Sequence, residues 1–256
     1  MKILVNRWSW GRLIYWGIIL FLIFFFLSLF FYDTSIIFKT LVDLLLALIS
    51  LLITFWALRT CKLFSKKITE NKQLKFWRTA VLLGIIFLLL AEHVPANIIQ
   101  VFQNKFFLLD TLIALAAAIF EESVCRGLLF SGFLGHEIYE SSNFRLTKAA
   151  LYSSLLFALF HLVNLIGGDS SAVFEQIGYT FAGGILFAAL RVMTNRLFWV
   201  ILVHFMIDWG PWVGFSQTSS NWFSLILVFG PLLVISLGYL ISADKLLIKQ
   251  TALKNF

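Results

Sequence analysis

The sequence predicts an all-α membrane protein, a polytopic bundle of about eight transmembrane helices with both termini in the cytoplasm. Of its 256 residues, 61% are hydrophobic and 13% are charged, whereas soluble domains average roughly half apolar and a quarter charged residues. A single core cannot bury so large an apolar excess, so lipid must cover much of the surface. The lengths of the apolar stretches and the positions of the basic residues predict the topology.

Eight apolar stretches approach the length of about 20 residues that a helix needs to cross roughly 30 Å of hydrocarbon. Glu92, His93 and Pro95 crowd the end of the third stretch, the fourth is longer than a crossing requires, and the seventh is short. The segment TENKQLKFWR, before the third stretch, is predicted to form a short amphipathic surface helix. The predicted spans are Leu13–Tyr32, Leu41–Leu58, Thr79–Ala96, Phe106–Leu134, Lys148–Ile166, Val173–Arg191, Leu197–Trp212 and Trp222–Ala243.

Basic residues lie mainly on one side of this arrangement, which contains 17 of the 20 Lys and Arg. Cytoplasmic loops carry such an excess, so both termini are predicted to be inside. The same asymmetry explains the net charge of +7 without a nucleic-acid partner. The two cysteines, Cys61 and Cys125, indicate no disulfide framework.

The chain is predicted to be one integral membrane domain with three regions. Residues 1–105 hold the first three spans and a basic cytoplasmic loop. Residues 106–212 hold the next four spans and the candidate site. Residues 213–256 hold the last span and a cytoplasmic tail.

Charged and polar groups inside the apolar spans are concentrated in spans four, five and seven. A charge at mid-membrane costs at least about 2.5–3.5 kcal/mol on insertion scales, so it usually faces a protein interior or a water-filled cavity. The residues concerned are Glu121, Glu122 and Arg126 in span four, His161 and Asn164 in span five, and His204 and Asp208 in span seven.

The spacing of these residues predicts how they interact. Glu122 and Arg126 are four residues apart, so they share a helical face and can neutralise each other. Glu121 lies about 100° around the helix from Glu122 and has no local partner, which makes it the candidate general base. His204 and Asp208 are also four residues apart, so the carboxylate can orient the imidazole.

Such a set of residues is typical of peptide hydrolysis. A Glu and a His can hold and deprotonate a water, and a second His with a polar neighbour can stabilise the oxyanion of a tetrahedral intermediate. Zinc bound by Glu121, His161 and His204 is chemically compatible, although spacing alone does not establish a metal. Each pair could instead be a packing clamp of buried ions, but their occurrence on three separate spans favours a shared site.

Three motifs, in this order, resemble those of the CPBP family of intramembrane proteases, also called the CAAX-protease or Abi family. EESVCR matches Glu-Glu-x-x-x-Arg. FALFH, which ends at His161 and is followed by Asn164, matches Phe-x-x-x-His. HFMID matches His-x-x-x-Asn/Asp, with Asp208 where many members have Asn. The resemblance covers about Asp110 to Trp209 and implies a helical membrane fold with a polar cavity among the motif helices.

The resemblance also implies roles for the motif residues and a class of substrate. The implied roles are water activation by Glu121 and His161, oxyanion support by His204 and Asp208, and ordering of the site by Glu122, Arg126 and Asn164. Eukaryotic relatives remove a C-terminal tripeptide from prenylated proteins, and bacterial relatives are linked to bacteriocin self-immunity and peptide-signal processing.

The function expected from the sequence is therefore an intramembrane endopeptidase of a bacterial plasma membrane. Its expected substrate is a membrane-associated protein or peptide of the CAAX, signal-peptide or bacteriocin type. The alternative is a non-catalytic immunity or regulatory protein that binds a bacteriocin or a sensor kinase. A transporter would be expected to show broken helices or inverted repeats, and the sequence shows neither.

Overall fold

The structure is a computed structural model that describes residues 3–66, 68–166, 168–211, 213 and 221–252. Helices dominate it, and the only β-type pairing among those residues is an isolated bridge between Ile3 and Phe64. The predicted all-α fold is therefore confirmed. The elements are α1 (Trp10–Phe30), α2 (Ile36–Leu58), α3 (Lys72–Ala91), α4 (Val94–Gln103), α5 (Phe107–Glu122), a π-helical segment (Ser123–Leu129), α6 (Phe130–Tyr139), α7 (Arg145–Phe160), a 3₁₀ turn (His161–Leu165), α8 (Ser170–Thr194), α9 (Leu197–Asp208) and α10 (Trp222–Ala252).

Six helices in the described part of the chain are long and apolar enough to cross a membrane, namely α1, α2, α3, α7 with its 3₁₀ turn, α8 and α10. The fourth predicted span is a continuous helical run from Phe107 to Tyr139. The seventh corresponds to α9, whose 12 residues extend about 18 Å, and its predicted end at Trp212 lies outside the described residues. The chain is a multi-pass membrane protein, while the count of eight spans and the cytoplasmic termini stay predictions.

The third predicted span was placed incorrectly at both ends. α3 begins at Lys72, so most of TENKQLKFWR belongs to the spanning helix and does not form a separate surface helix. α3 ends at Ala91, and Glu92 and His93 turn the chain into α4, with His93 at a left-handed φ of 53°. Pro95 lies in the first turn of α4, where its missing N–H breaks no helical hydrogen bond.

α8 is the central helix of the bundle, and α7 and α10 pack against it. Buried residues make up 67% of the apolar span of α8, compared with 17% of the apolar span of α1. The outer helices expose large apolar side chains, such as Phe26 and Phe30 on α1 and Ile226 and Leu227 on α10. Lipid is the solvent that makes such exposure favourable.

Two long-range hydrogen-bonded contacts hold the helices that carry the second and third motifs. The N-terminus of α7, which has no side-chain cap of its own, is capped by Asp244 of α10. The Asp244 carboxylate accepts hydrogen bonds from the N–H groups of Leu146 and Thr147 and from the Thr147 hydroxyl, at 2.8–3.0 Å. Just beyond α9, Trp209 Nε1 donates to Thr111 Oγ1 of α5 at 2.9 Å.

Candidate active site

The first motif lies where the helical run changes from α to π geometry. Glu121 and Glu122 end α5, and the widened turn begins at Ser123. The hydroxyl of Thr54 on α2 donates a hydrogen bond to the Ser123 carbonyl at 3.1 Å. Gly127 makes this approach possible, because a Cβ there would lie 2.5 Å from Thr54 Cγ2. Single π turns inside α-helices frequently occur at functional sites.

Glu122 and Arg126 form the predicted ion pair. Arg126 Nη1 lies 2.9 Å from Glu122 Oε1, and both side chains are fully buried. The guanidinium also lies over the rings of Phe157 and Phe187, at 4.2 and 5.3 Å from their centroids, where the negative ring faces attract it. Among the described residues, Arg126 Nε and Nη2 have no hydrogen-bond partner, so the carboxylate and the two rings provide most of the stabilisation of the cation.

Gly184 on α8 provides the space that the guanidinium of Arg126 occupies. A Cβ at position 184 would lie 2.8 Å from Ser154 Cβ and 3.0 Å from Arg126 Nη2, whereas a Cβ at Gly183 would meet nothing within 4 Å.

We therefore expect Gly184→Ala to lower the free energy of unfolding by about 1–3 kcal/mol, as overpacking of a filled interior does, and to reduce activity by displacing Arg126. Gly183→Ala is the matched control and should change stability little. Thermal unfolding in detergent measures both, and equal stability of the two variants would contradict the assigned contact.

His204 is held among three carboxylates. Its Nδ1 lies 2.7 Å from Glu122 Oε1, and its Nε2 lies 3.1 Å from Asp208 Oδ2 and 3.6 Å from Glu121 Oε2. Glu122 is the anionic partner of Arg126, so its oxygen accepts the hydrogen bond from His204. Nδ1 of His204 therefore carries a proton. The predicted His204–Asp208 contact is present, and the unforeseen Glu122–His204 hydrogen bond joins the first motif to the third.

His161 begins the 3₁₀ turn that follows α7. Its Nδ1 lies 2.9 Å from the carbonyl oxygen of Phe157. A carbonyl can only accept, so Nδ1 donates and Nε2 of the neutral ring is left as an acceptor. Asn164 lies further along the same turn and donates from Nδ2 to Gln176 Oε1 at 2.8 Å, which ties the turn to α8.

The three motifs line one cavity of about 530 Å³. The motif residues in its wall are Glu121, His161, Asn164, His204 and Asp208, while Glu122 and Arg126 lie buried behind them. The Glu121 and Asp208 side chains are 25% and 28% exposed, so both carboxylates can contact water. The predicted convergence of spans four, five and seven on a shared pocket is present in the structure.

Four further polar residues, which the sequence did not indicate as site residues, line the cavity. They are Glu92, Gln176, Tyr179 and Thr180. The last three lie on α8 at positions i, i+3 and i+4, which is one helical face, so a polar pattern within this apolar span was an available signal. Glu92 had no such signal, because it lies at the end of α3, which carries none of the three motifs.

Residues 103–210 match the model of the family described as Type II CAAX prenyl endopeptidase Rce1-like. The family resemblance inferred from the three motifs is thereby confirmed. The matched segment contains every motif residue, whereas α1 to α3, Glu92 and α10 lie outside it. At the level of the family, the match supports a membrane-embedded endopeptidase. No curated protein and no solved structure matches the chain.

The matched segment offers suitable donor types for a metal such as zinc, but not a grouped set of ligands. Each imidazole has its Nδ1 engaged in a hydrogen bond, as oriented histidine ligands do, and Glu121 supplies a carboxylate. Yet no three His, Cys, Asp or Glu side chains among the described residues are grouped as a metal site requires. Zinc held by Glu121, His161 and His204 therefore remains a prediction.

Proposed function

We propose that the protein is an intramembrane endopeptidase that hydrolyses a peptide bond in a membrane-associated protein or peptide. The observation that carries this proposal is the cavity itself. It brings a partly exposed carboxylate, Glu121, together with two imidazoles, His161 and His204, inside an otherwise apolar bundle. Water admitted there lies beside groups that can remove its proton and stabilise the charge that develops on attack.

In the proposed reaction, Glu121 acts as the general base. Its carboxylate takes a proton from a water, and the hydroxide attacks the carbonyl carbon of the scissile bond. His161 orients this water by accepting a hydrogen bond at Nε2, since its Nδ1 is engaged with the Phe157 carbonyl. When the C–N bond breaks, Glu121 returns the proton to the leaving amine, which leaves a carboxylic acid and an amine as products.

His204 supports the oxyanion of the tetrahedral intermediate. Glu121, Glu122 and Asp208 lie within 3.6 Å of its ring nitrogens, and their negative charge favours an imidazolium by Coulomb attraction. Nδ1 is engaged with Glu122, so the Nε2 N–H, which lies 3.1 Å from Asp208 Oδ2, is the donor that would shift from Asp208 to the oxyanion. Asp208 orients the ring from the same side.

The proposed route to this site is from the side of the membrane opposite the basic loops. The cavity is lined by the C-terminal ends of α3 and α9 and the turn after α7. The N-terminal half and middle of α8 and the N-terminal part of α10 complete this side of its wall. The basic segments flank the other ends of these helices. With the predicted orientation, a substrate reaches the cavity from the outer half of the bilayer.

Comparative proteomics of membrane peptides tests the function in cells. We expect at least one cleavage product in cells with the wild-type protein that is absent in cells with Glu121→Gln at equal expression. Identical peptide profiles in both strains would contradict the proposal and favour a non-catalytic immunity or regulatory protein.

A further inference from the structure

Glu92 supplies a carboxylate to the cavity from outside the segment that matches the family. The turn that carries it is well fixed. Its N–H donates to the Leu88 carbonyl, its own carbonyl accepts from Asn97 Nδ2 at 3.0 Å, and His93 follows with a left-handed backbone. The carboxylate lines the cavity and forms no hydrogen bond or ion pair with the residues that the structure describes.

The cavity as a whole is electronegative. Its wall contains the carboxylates of Glu92, Glu121 and Asp208, and no Lys or Arg among the described residues. Arg126 lies behind Glu122, fully buried and bonded to it. The chain between residues 197 and 244 contains neither Lys nor Arg, so the part of it outside the described residues adds no cation.

Of these three carboxylates, Glu92 is the one that forms no ion pair within the described part of the chain. Asp208 and Glu121 share His204. Burial raises the pKa of Glu92 above its ordinary value, His93 opposes the rise and Asp208 adds to it. A cation beside Glu92 would offset the free-energy cost of burying this charged carboxylate, whereas a second anion would increase that cost.

We propose that Glu92 is a specificity residue that binds a Lys or Arg side chain of the substrate, and that the substrate is a cationic internal segment. This inference rests on the proposed function. A free C-terminal carboxylate, as in a released tripeptide, would meet three carboxylates in this cavity and, among the described lining residues, one cationic group, the imidazolium of His204. A sphere of 530 Å³ is about 10 Å across, and an extended chain advances about 3.4 Å per residue. The basic residue therefore lies within about three residues of the scissile bond.

Cleavage of a peptide library by the purified full-length protein in phosphatidylcholine liposomes tests this specificity. For the wild type we expect Lys and Arg to be enriched within three residues of the cleaved bonds. Glu92→Gln should reduce the enrichment at least about fivefold, and Glu92→Lys should reverse it toward Asp and Glu. Glu140→Gln, at an exposed position on the last turn before α7, is the matched control and should leave the profile unchanged.

A binding measurement keeps the inference testable independently of turnover. The probes are fluorescent Leu/Ala transmembrane peptides that differ at one central residue, Lys, Gln or Glu, and the receptor is the Glu121→Gln protein in the same liposomes. We expect the Lys peptide to bind about tenfold more tightly than the Gln peptide, and this difference to be lost on adding Glu92→Gln. Equal binding of the Lys and Glu peptides would overturn the inference.

The two proposals fail in different ways. Cleavage that requires Glu121 but shows no basic preference would overturn the role of Glu92 and leave the endopeptidase standing. Absence of any cleavage by the wild-type protein would overturn the proposed function itself, and with it the role of Glu92 in proteolysis.

Discussion

Replacing Glu121 by Gln is expected to abolish proteolysis while leaving the helical bundle folded. Gln preserves the size of the side chain and its contact with the cavity, but it cannot accept the proton of the attacking water. Loss of a general base lowers rates by about 10²–10⁴-fold. The measurement is the rate of cleavage of an identified substrate by the purified variant in liposomes.

Stability provides the control for this variant. Glu121 is partly exposed, and the ring nitrogen Nε2 of its charged partner His204 is 3.6 Å away. The free energy of unfolding of Glu121→Gln should therefore lie within about 1 kcal/mol of that of the wild type. A variant that unfolds normally and retains full activity would exclude Glu121 as the base. Normal folding with lost cleavage is the expected result.

Replacing Arg126 by Met is expected to lower the free energy of unfolding by about 3–5 kcal/mol. The substitution removes the partner of a fully buried carboxylate, and breaking a buried ion pair from one side leaves an uncompensated charge. Glu122 would then lose its fixed position against His204, so activity should fall as well. Unfolding by denaturing detergent in mixed micelles measures the loss.

Two further variants separate this effect from the loss of a large side chain. The double variant Glu122→Gln/Arg126→Met has no unpaired buried charge and should be more stable than Arg126→Met alone. Arg78→Met breaks an ion pair with Glu70 of similar length, 2.8 Å, whose arginine is 42% exposed, so it should cost no more than about 1 kcal/mol. Equal losses for Arg126→Met and Arg78→Met would contradict the assigned role of the buried pair.

The sequence predicted the fold well, since an apolar stretch of about 20 residues in lipid satisfies its backbone hydrogen bonds as a helix. It also predicted the Glu122–Arg126 and His204–Asp208 contacts, because both pairs are local, four residues apart on one helix. The start of α3 was harder to predict, because the segment from Lys72 to Arg78 is polar enough to resemble a surface helix and yet continues into the span.

Three features of the site could not be predicted from local patterns. The π turn at Ser123 is a change in backbone hydrogen bonding, and the side-chain sequence does not display it. The Glu122–His204 hydrogen bond joins residues 82 positions apart, so it depends on how α5 and α9 pack. Glu92 lies one helical turn after Leu88, which lines the same cavity, so its place there depends on how α3 packs against the motif helices.

Proximity cross-linking in native membranes tests most directly whether the motif side chains share one pocket. Cys61 and Cys125 are first replaced by Ala. We predict that the pairs Glu121→Cys/His204→Cys and His161→Cys/His204→Cys are both joined by a short bifunctional thiol reagent, whereas the control pair His136→Cys/His204→Cys is not. Failure of both site pairs to cross-link above the control would contradict a shared catalytic cavity.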